Sequence, residues 1–228
     1  MNEVDASPTS SAVAKSAFVI TGGDALHDDH VADISAHDVV IVADAGIHHA
    51  LDKGLRIDVV IGDLDSARPD AVARARHLGA EIIELPADKD LTDTEAALLH
   101  AASLGVESLR IVTGGGGRLD HQLGVLAALF HEDLAGLRIE ARWARSRAWP
   151  MHSGGVLDIA CSVNDTIGLV PFGGDAHGVH TEGLRWALSN ESLRAASSRG
   201  VSNRAVSPRV RMTLGNGRLL VINEGKVS

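Results

Sequence analysis

The feature that most constrains the fold is the alternation of short apolar runs with helical segments up to about residue 137. Strands alternating with helices of about a dozen residues predict βαβ units and a parallel sheet. The predicted strands are Phe18–Thr21, Val39–Ala43, Ile57–Ile61, Glu81–Leu85 and Leu109–Val112. The predicted helices are Ile47–Lys53, Pro69–Leu78, Thr92–Leu104 and Leu119–Phe130.

The pattern changes after about Trp149, where helical periodicity gives way to short β-rich runs between turn residues. Asn216-Gly217, between the last two runs, predicts a hairpin. We therefore expect a second domain that forms an antiparallel β-sandwich. Its predicted strands are Val156–Cys161, Thr166–Val170, Gly178–Thr181, Arg209–Leu214 and Leu219–Ile222.

The predicted fold class is therefore α/β, with an N-terminal Rossmann-like parallel sheet and a C-terminal sandwich. The expected boundaries are a disordered tail at 1–16, a nucleotide-binding catalytic domain at 17–140 and a sandwich at 150–228. Arg138–Pro150 is the predicted junction. Its arginines are interpreted as a solvated linker, because charge clusters usually face solvent.

Charge and cysteine content exclude several classes of protein. The net charge is −9, from 30 acidic and 21 basic residues, whereas a nucleic-acid-binding protein would show a basic face. Cys161 is the single cysteine, which rules out an internal disulfide and suits a reducing compartment. No apolar stretch approaches the roughly 20 residues that span a bilayer, and the N-terminal residues lack a signal-peptide pattern. We expect a cytoplasmic protein without membrane or nucleic-acid partners.

Four short polar motifs follow the predicted strands, where ligands bind in open α/β sheets. They begin at Ala43, Ile61, Asp88 and Thr113. So many carboxylates would repel one another and any phosphate unless a divalent cation joined them, so the pattern predicts a magnesium–nucleotide site. The aspartates expected to converge there are Asp44, Asp63, Asp65, Asp88, Asp90, Asp93 and Asp120.

Two of these motifs are rich in aspartate. Asp63 and Asp65 are two residues apart, so on a strand that continued to its tip they would point the same way and could anchor magnesium. The alternative is an ordinary turn. The Asp88–Asp93 motif opens a helix, and a helix N-terminus favours phosphate. A capping box from Thr92 to Glu95 is the alternative, although it leaves the first half of the motif unexplained.

The third motif combines glycines with an arginine. Gly114–Gly117 would let the backbone approach a phosphate closely, and Arg118 can bind two oxygens at once. The motif lacks the Gly-Lys-Ser/Thr ending of a Walker A loop, and its glycine spacing differs from the dinucleotide-binding fingerprint. The glycines alone therefore do not identify the nucleotide.

In combination, these motifs resemble those of the thiamine pyrophosphokinase family. Gly62–Ser66 matches the family's Gly-Asp-x-Asp-Ser motif, and Asp88–Glu95 matches Asp-Lys-Asp-x-Thr-Asp-x-Glu in full. Gly116–His121 matches Gly-Gly-Arg-x-Asp-His. In the second half, the matching segments are Thr181–Leu188 and Ser202-Asn203. The matches occur in the family's order from about residue 18 to residue 222.

The resemblance implies a homodimer that transfers the pyrophosphoryl group of ATP to the thiamine hydroxyl with Mg²⁺, releasing AMP. The set expected to bind magnesium is Asp63, Asp65 and Asp93. The catalytic set adds Arg118 and Asp120. The set expected near the nucleotide is Asp44, Lys89, Asp90, Thr92, Gly116 and Gly117. The set expected near thiamine is Thr181, Trp186, Ser202 and Asn203.

Three positions depart from the family's motifs: Ala45 replaces a glycine, Val125 an asparagine and Arg185 a lysine. An indole suits a cationic heteroaromatic ligand, although Trp186 could instead belong to the sandwich core.

Two other functions stay open. One is a phosphatase of the haloacid dehalogenase type with Asp63 as nucleophile, and the other is a non-catalytic nucleotide or thiamine sensor on the same fold.

Overall fold

The structure is a computed structural model that describes residues 16–224. Of the predicted tail, residues 1–15 lie outside the described residues, and Ser16 begins the first strand. The strands of the first half are β1 Ser16–Ile20, β2 Val39–Ala43, β3 Val59–Gly62, β4 Glu81–Glu84, β5 Ser108–Thr113 and β6 Arg138–Trp143. The helices are α1 Gly46–Asp52, α2 Pro69–His77, α3 Asp93–Ser103 and α4 Leu119–Ala128, with 3-10 turns at Asp28–His30 and Glu132–Leu134.

The first six strands form a parallel sheet in the order β6-β5-β1-β2-β3-β4. Successive side chains of a strand point to opposite faces, so Val19 packs into the core with α3 and α4, whereas Phe18 and Ile20 pack with α1 and α2. Helices thus cover both faces of this sheet. Among the described residues, no helix combines the length and apolar character needed to cross a membrane.

The same sheet continues into the second half of the chain. The later strands are β7 Ser146–His152, β8 Val156–Ala160, β9 Thr166–Pro171, β10 Ala176–Glu182, β11 Glu191–Leu193, β12 Asn203–Arg204, β13 Arg209–Thr213 and β14 Arg218–Asn223. After β6 the sheet proceeds through antiparallel strands β7, β14, β9 and β12, so it has ten strands. A separate antiparallel sheet has the order β11-β10-β13-β8.

The predicted β-sandwich forms between this second sheet and the continuation of the first. Leu219 and Val221 of β14 pack into the sandwich core with Val179 and Met212 of the second sheet. Leu220, between them, points to the other face and packs into the core beside α3 and α4. The predicted fold class is confirmed, and one layer of the sandwich belongs to the same sheet as the six parallel strands of the first half.

The linker predicted from the arginines of Arg138–Arg147 is wrong, although Arg138, Arg145 and Arg147 are exposed as expected. Residues 138–150 form β6 and most of β7, and β6 pairs with β5 over six residues. Arg142 is buried, and its guanidinium makes two hydrogen bonds to Asp33, of 2.6 and 2.8 Å, and one of 3.0 Å to Glu140. These hydrogen bonds compensate for the burial of its charge. The arginines that suggested a solvated segment include one that ties β6 to the loop before β2.

The hairpin predicted at Asn216-Gly217 is also wrong. The strands on either side belong to different sheets, since β13 pairs with β8 and β10, whereas β14 pairs with β7 and β9. Asn216 instead bridges to His177 of β10. The turn carries the chain from one layer of the sandwich to the other, where β14 can bury both of its faces.

Candidate active site

A cleft of about 250 Å³ opens at the carboxyl ends of β1, β2 and β5. β1 has β2 on one side and β5 on the other, so the strand order reverses here, which is where open α/β sheets bind ligands. The cleft is lined by Thr21, Gly22, Gly23, Ala43, Asp44, Ala45, Ser66, Asp93, Thr94, Thr113, Gly115, Gly116, Gly117, His121, Gln122, Val125 and Trp143.

Three carboxylates meet at one side of this cleft. One oxygen from each of Asp44, Asp63 and Asp93 lies within 4.8 Å of the others, although the three residues come from the ends of β2 and β3 and the start of α3. The Asp63 amide donates a 3.2 Å hydrogen bond to Oδ1 of Asp93, which helps hold the two segments together. Such a set of oxygen ligands fits a hard divalent cation.

The absence of a side chain at Gly62 lets these carboxylates approach. Its φ is 154°. A Cβ at this position would lie 3.2 Å from Cβ of Asp44 and 3.2 Å from Cγ of Asp93, which is tighter than ordinary van der Waals contact. A larger residue would therefore press the two carboxylates apart.

Asp44 has one oxygen that nothing in the described chain satisfies. Its backbone has a φ of 44°, a left-handed conformation that aspartate tolerates better than most residues. Oδ2 accepts a hydrogen bond from the Ser66 hydroxyl, whereas Oδ1 is buried and accepts none from the residues that the structure describes. A buried oxygen without a partner is costly, so a bound cation fits this position.

Asp65, which the sequence places in the magnesium set, lies outside this group of three and is exposed. Its amide donates a 3.2 Å hydrogen bond to Oδ1 of Asp63. The negative charge of Asp63, followed by burial and the charge of Asp44, raises the pKa of Asp65. The carboxylate of Asp65 is therefore close enough to be repelled by the charges of the group. Its assignment as a magnesium ligand stays a prediction.

Lys89 supplies a positive charge to the same group. Its Nζ lies 2.9 Å from Oδ1 of Asp93 and 3.7 Å from Oδ2 of Asp63, and its side chain is largely buried. The hydrogen bond to Asp93 raises the pKa of Lys89. The neighbouring predicted residue Asp90 is exposed, and the hydroxyl of Thr92 caps α3 by accepting a 3.1 Å hydrogen bond from the Glu95 amide.

The glycine loop lies on the opposite side of the cleft. Gly115, Gly116 and Gly117 all have φ near 75°, a left-handed conformation that favours glycine. Gly116 packs so closely on Asp24 that a Cβ would lie 2.5 Å from its carboxylate. The loop therefore presents backbone, without side chains, to the cleft.

Arg118 and Asp120 lie beyond this loop and bind each other. The Arg118 guanidinium donates two hydrogen bonds to the Asp120 carboxylate, of 3.1 and 2.6 Å, and both side chains are exposed. This contact raises the pKa of Arg118 and lowers the pKa of Asp120. In this conformation neither side chain lines the cleft.

Two family models match the chain. Residues 32–140 match "Thiamin pyrophosphokinase, catalytic domain" and residues 157–219 match "Thiamin pyrophosphokinase, vitamin B1 binding domain". The chain belongs to the thiamin pyrophosphokinase family. The catalytic-domain match includes all three converging aspartates and the glycine loop.

Sequence relatives carry the same family name. Thiamine pyrophosphokinase 1 of Oryza sativa subsp. japonica is 30% identical over 163 residues, covering 68% of this chain and 62% of the relative. Thiamine pyrophosphokinase 1 of Arabidopsis thaliana is 30% identical over 153 residues, covering 64% and 57%. The chain thus spans less than two thirds of these plant proteins. Thiamine pyrophosphokinase of Bacillus subtilis is 26% identical over 210 residues, covering 91% and 98%.

Solved structures of the thiamin pyrophosphokinase family share the fold. The structure from Bacillus subtilis aligns with a TM-score of 0.83 at 24% identity, covering 93% of this chain and all of that chain. The structure from Candida albicans aligns with a TM-score of 0.78 at 15% identity, covering 93% and 90%. At these identities the likeness concerns architecture alone.

Of the four residues expected at thiamine, Trp186 and Asn203 line a second cleft, of about 500 Å³. The Trp186 indole is 56% exposed, so it is not a sandwich-core residue. The Asn203 side chain accepts a 3.1 Å hydrogen bond from the Trp186 amide and donates one of 2.8 Å to its carbonyl. Thr181 is buried and accepts a 2.8 Å hydrogen bond from the Leu188 amide, so it shapes the loop rather than lining the cleft. Ser202 is exposed, with a φ of 63°.

The two clefts lie at the same edge of the ten-stranded sheet, as the strand pairing shows. At this edge Thr113 pairs with Trp143, and the neighbouring Arg142 pairs with Arg147. Arg147 in turn pairs with Asn223, and Asn223 and Asn203 both pair with Ile167. Asn203 pairs with β9, which is four strands from β5. At about 4.8 Å per strand, β5 and β9 are separated by roughly 19 Å within one chain.

Some residues at the first cleft lie outside the sequence motifs described above. Asp24 supports the glycine loop, while Trp143 and Gln122 line the cleft. Trp143 ends β6, and it reaches the cleft because β6 is a strand that pairs with β5. Of the departures from the family's motifs, Ala45 and Val125 both line this cleft.

Proposed function

We propose that the protein transfers the pyrophosphoryl group of ATP to the hydroxyl of thiamine, giving thiamine diphosphate and AMP. The observation that carries this proposal is the meeting of Asp44, Asp63 and Asp93 opposite a glycine-lined loop at the switch point of the sheet. Family membership supplies the substrates, because the two matched family models are a catalytic domain and a vitamin B1 binding domain.

Asp44, Asp63 and Asp93 would hold Mg²⁺, and the unsatisfied Oδ1 of Asp44 supports that assignment. A bound Mg²⁺ would offset the charge of the polyphosphate and of the carboxylates together. Lys89 already binds two of these carboxylates and is positioned to contact a phosphate oxygen if it leaves them.

The backbone amides of Gly115–Gly117 and the start of α3 are suited to phosphate oxygens. The thiamine hydroxyl oxygen bonds to the β-phosphorus, the bond from that phosphorus to the α,β-bridging oxygen breaks, and AMP leaves with that oxygen. The hydroxyl proton passes to solvent. Arg118 would release Asp120 and bind phosphate oxygens whose charge changes during transfer.

We propose that thiamine binds against Trp186, whose exposed indole suits a cationic ring. Donor and acceptor must meet within about 3–3.5 Å, yet the two clefts of one chain are four strands apart. A homodimer that brings the second cleft of one protomer to the first cleft of its partner would resolve this separation. We also expect the enzyme to work in the cytoplasm, without nucleic acid or membrane.

The test is to incubate the protein with ATP, Mg²⁺ and thiamine and to measure AMP and thiamine diphosphate by mass spectrometry. Formation of both, dependent on thiamine, is expected. Release of inorganic phosphate with a trapped phospho-aspartate would instead indicate a phosphatase. Binding of nucleotide or thiamine without AMP formation would indicate a sensor. Either result would refute the proposed activity.

A further inference from the structure

Arg185, beside the proposed thiamine site, is held in place by its backbone. Its amide donates a 2.8 Å hydrogen bond to the carbonyl of Arg204, and Leu184 forms a β-bridge with Ala205. The next residue, Trp186, is fixed by the two hydrogen bonds to Asn203. The segment that carries Arg185 is therefore anchored on both sides, and its side chain projects from a defined point of the surface.

The charge of Arg185 lacks a carboxylate partner within residues 16–224. Its guanidinium carbon lies 5.2 Å from the centroid of the Trp186 ring, and the side chain is exposed. Nearby arginines differ, since Arg199 binds Glu191 and Arg209 binds Asp158. A free guanidinium that lines the same cleft as the tryptophan is available for an anionic ligand.

Thiamine itself does not explain this arginine. Its thiazolium ring is cationic, so it would be repelled by Arg185 and would compete with it for the negative face of the indole. The other reactant is an anion, and its transferring phosphoryl group must lie within about 3–3.5 Å of the thiamine hydroxyl. A guanidinium beside the ring that holds thiamine is therefore close to the point where the new bond forms.

Lys89 and Arg118, the basic residues predicted to act at the first cleft, are paired with carboxylates in this conformation. Lys89 contacts Asp93 and Asp63, and the Arg118 guanidinium donates two hydrogen bonds to the Asp120 carboxylate. A polyphosphate entering this cleft would therefore gain from a positive charge supplied from outside it. The cleft that carries Arg185 cannot supply that charge within the same chain, because the two clefts are four strands apart.

We propose that Arg185 of one protomer acts on the site of the other, where it binds the phosphoryl group during its transfer. This inference rests on the proposed function and adds a catalytic residue to it. An arginine supplied in this way stabilises the charge that develops on the transferring group.

Steady-state kinetics of Arg185→Ala, Arg185→Lys and a control, Arg194→Ala, test the role of the side chain. Arg194 is an exposed arginine of the same half that lines neither cleft. We expect Arg185→Ala to lower kcat on the order of 10²-fold with little change in KM for thiamine. Arg185→Lys should recover part of the loss, because it keeps the charge without the planar fork. An unchanged kcat, or a loss confined to KM for thiamine, overturns the inference.

A mixing experiment tests whether the residue acts between protomers. Asp63→Asn protomers lack a functional first cleft but keep Arg185, whereas Arg185→Ala protomers have the reverse. Random pairing of equal amounts should restore roughly a quarter of wild-type activity, because half of the dimers contain one complete site. No restoration, with mixed dimers verified by native mass spectrometry, overturns action in trans.

The wild-type protein separates failure of this inference from failure of the proposed function. A wild type that forms no AMP with thiamine overturns both. An active wild type whose Arg185→Ala variant is equally active overturns the role of Arg185 alone, and circular dichroism of each variant verifies that it is folded.

Discussion

At the residue scale, the environment of Asp44 distinguishes it from the other aspartates of the cleft. Its Oδ1 is buried and accepts no hydrogen bond from the described residues, and one of its oxygens lies within 4.8 Å of oxygens of Asp63 and Asp93. Asp44→Asn therefore removes a charge where a cation would bind. We expect kcat to fall on the order of 10³-fold, equivalent to several kcal/mol of transition-state stabilisation. Steady-state kinetics over a range of Mg²⁺ concentrations measure this. Asp52→Asn, at an exposed aspartate at the end of α1 outside every site motif, is the control; a fully active Asp44→Asn would contradict the assignment.

Lys89 leads to a prediction with opposite effects on metal binding and catalysis. Its ammonium competes with a metal ion for Asp63 and Asp93, and its raised pKa keeps it charged at neutral pH. Lys89→Ala should therefore bind Mg²⁺ several-fold more tightly without nucleotide, while kcat falls because a phosphate contact is lost. Isothermal titration calorimetry measures the first effect and kinetics the second. Weaker Mg²⁺ binding by the variant would show that Lys89 supports the metal site instead of competing with it.

The metal set expected from the sequence and the group of carboxylates in the structure share two members. The motifs at strand ends predict that carboxylates meet at one edge of the sheet, and Asp63 and Asp93 belong to both sets. The expectation that Asp65 points the same way as Asp63 extends strand geometry beyond β3, which ends at Gly62, and Leu64 has a φ of 61°. The backbone therefore turns between Asp63 and Asp65. The role of Asp65 as a metal ligand stays a prediction. Asp44 is the third member of the group, and its backbone has a left-handed conformation that the pattern of apolar and polar residues does not predict.

At the element scale, the pairing of Arg142 with Asp33 ties β6 to the loop before β2. Arg142→Ala should lower the free energy of unfolding by about 2 kcal/mol, because a buried guanidinium with charged hydrogen bonds is lost. Urea unfolding measures the change. Arg138→Ala is the control, since Arg138 is an exposed arginine of the same strand that pairs with Glu107 at the surface. Equal stability of the two variants would contradict a special role for Arg142.

The same pair makes a prediction about pH. The hydrogen bonds from Arg142, which outweigh the effect of burial, lower the pKa of Asp33 below its ordinary value. Its stabilising contribution is therefore fully present above the unfolded-state pKa of about 3.9 and is lost as pH falls through the lower folded-state pKa. The stability difference between wild type and Asp33→Asn should be largest near neutral pH and shrink below about pH 4. Unfolding curves at both pH values test this; a difference that grew in acid would contradict the pairing.

Two elements resisted prediction for reasons that concern the tertiary structure. β6 alternates buried Ile139 and Ala141 with charged residues. Its arginines obscure this pattern because two of their partners, Asp33 and Glu107, are distant in sequence. Asn216-Gly217 specifies a local turn and not the partner of the strand that follows it. Both faces of β14 are apolar, so burial between two layers decides which sheet it joins.

At the scale of the whole molecule, the separation of the two clefts leads to a prediction about Trp186. Trp186→Ala should raise KM for thiamine on the order of tenfold and leave ATP binding nearly unchanged, because the indole serves only the acceptor. The control is Leu78→Ala, because Leu78 is an exposed apolar residue at the C-terminal end of α2. Kinetics with each substrate varied in turn measure both effects. Unchanged KM for thiamine would remove the proposed stacking.

The continuity of the ten-stranded sheet means that the two family domains divide the sequence but not the hydrogen-bonded structure. A cut between residues 140 and 157 would separate β6 from β14 and leave long strand edges exposed to solvent. Such edges pair readily with other chains. Either fragment expressed alone should therefore aggregate. Attempts to produce the half that matches the vitamin B1 binding model as an independent module, or to exchange it between relatives, should fail unless β6 and β7 are included.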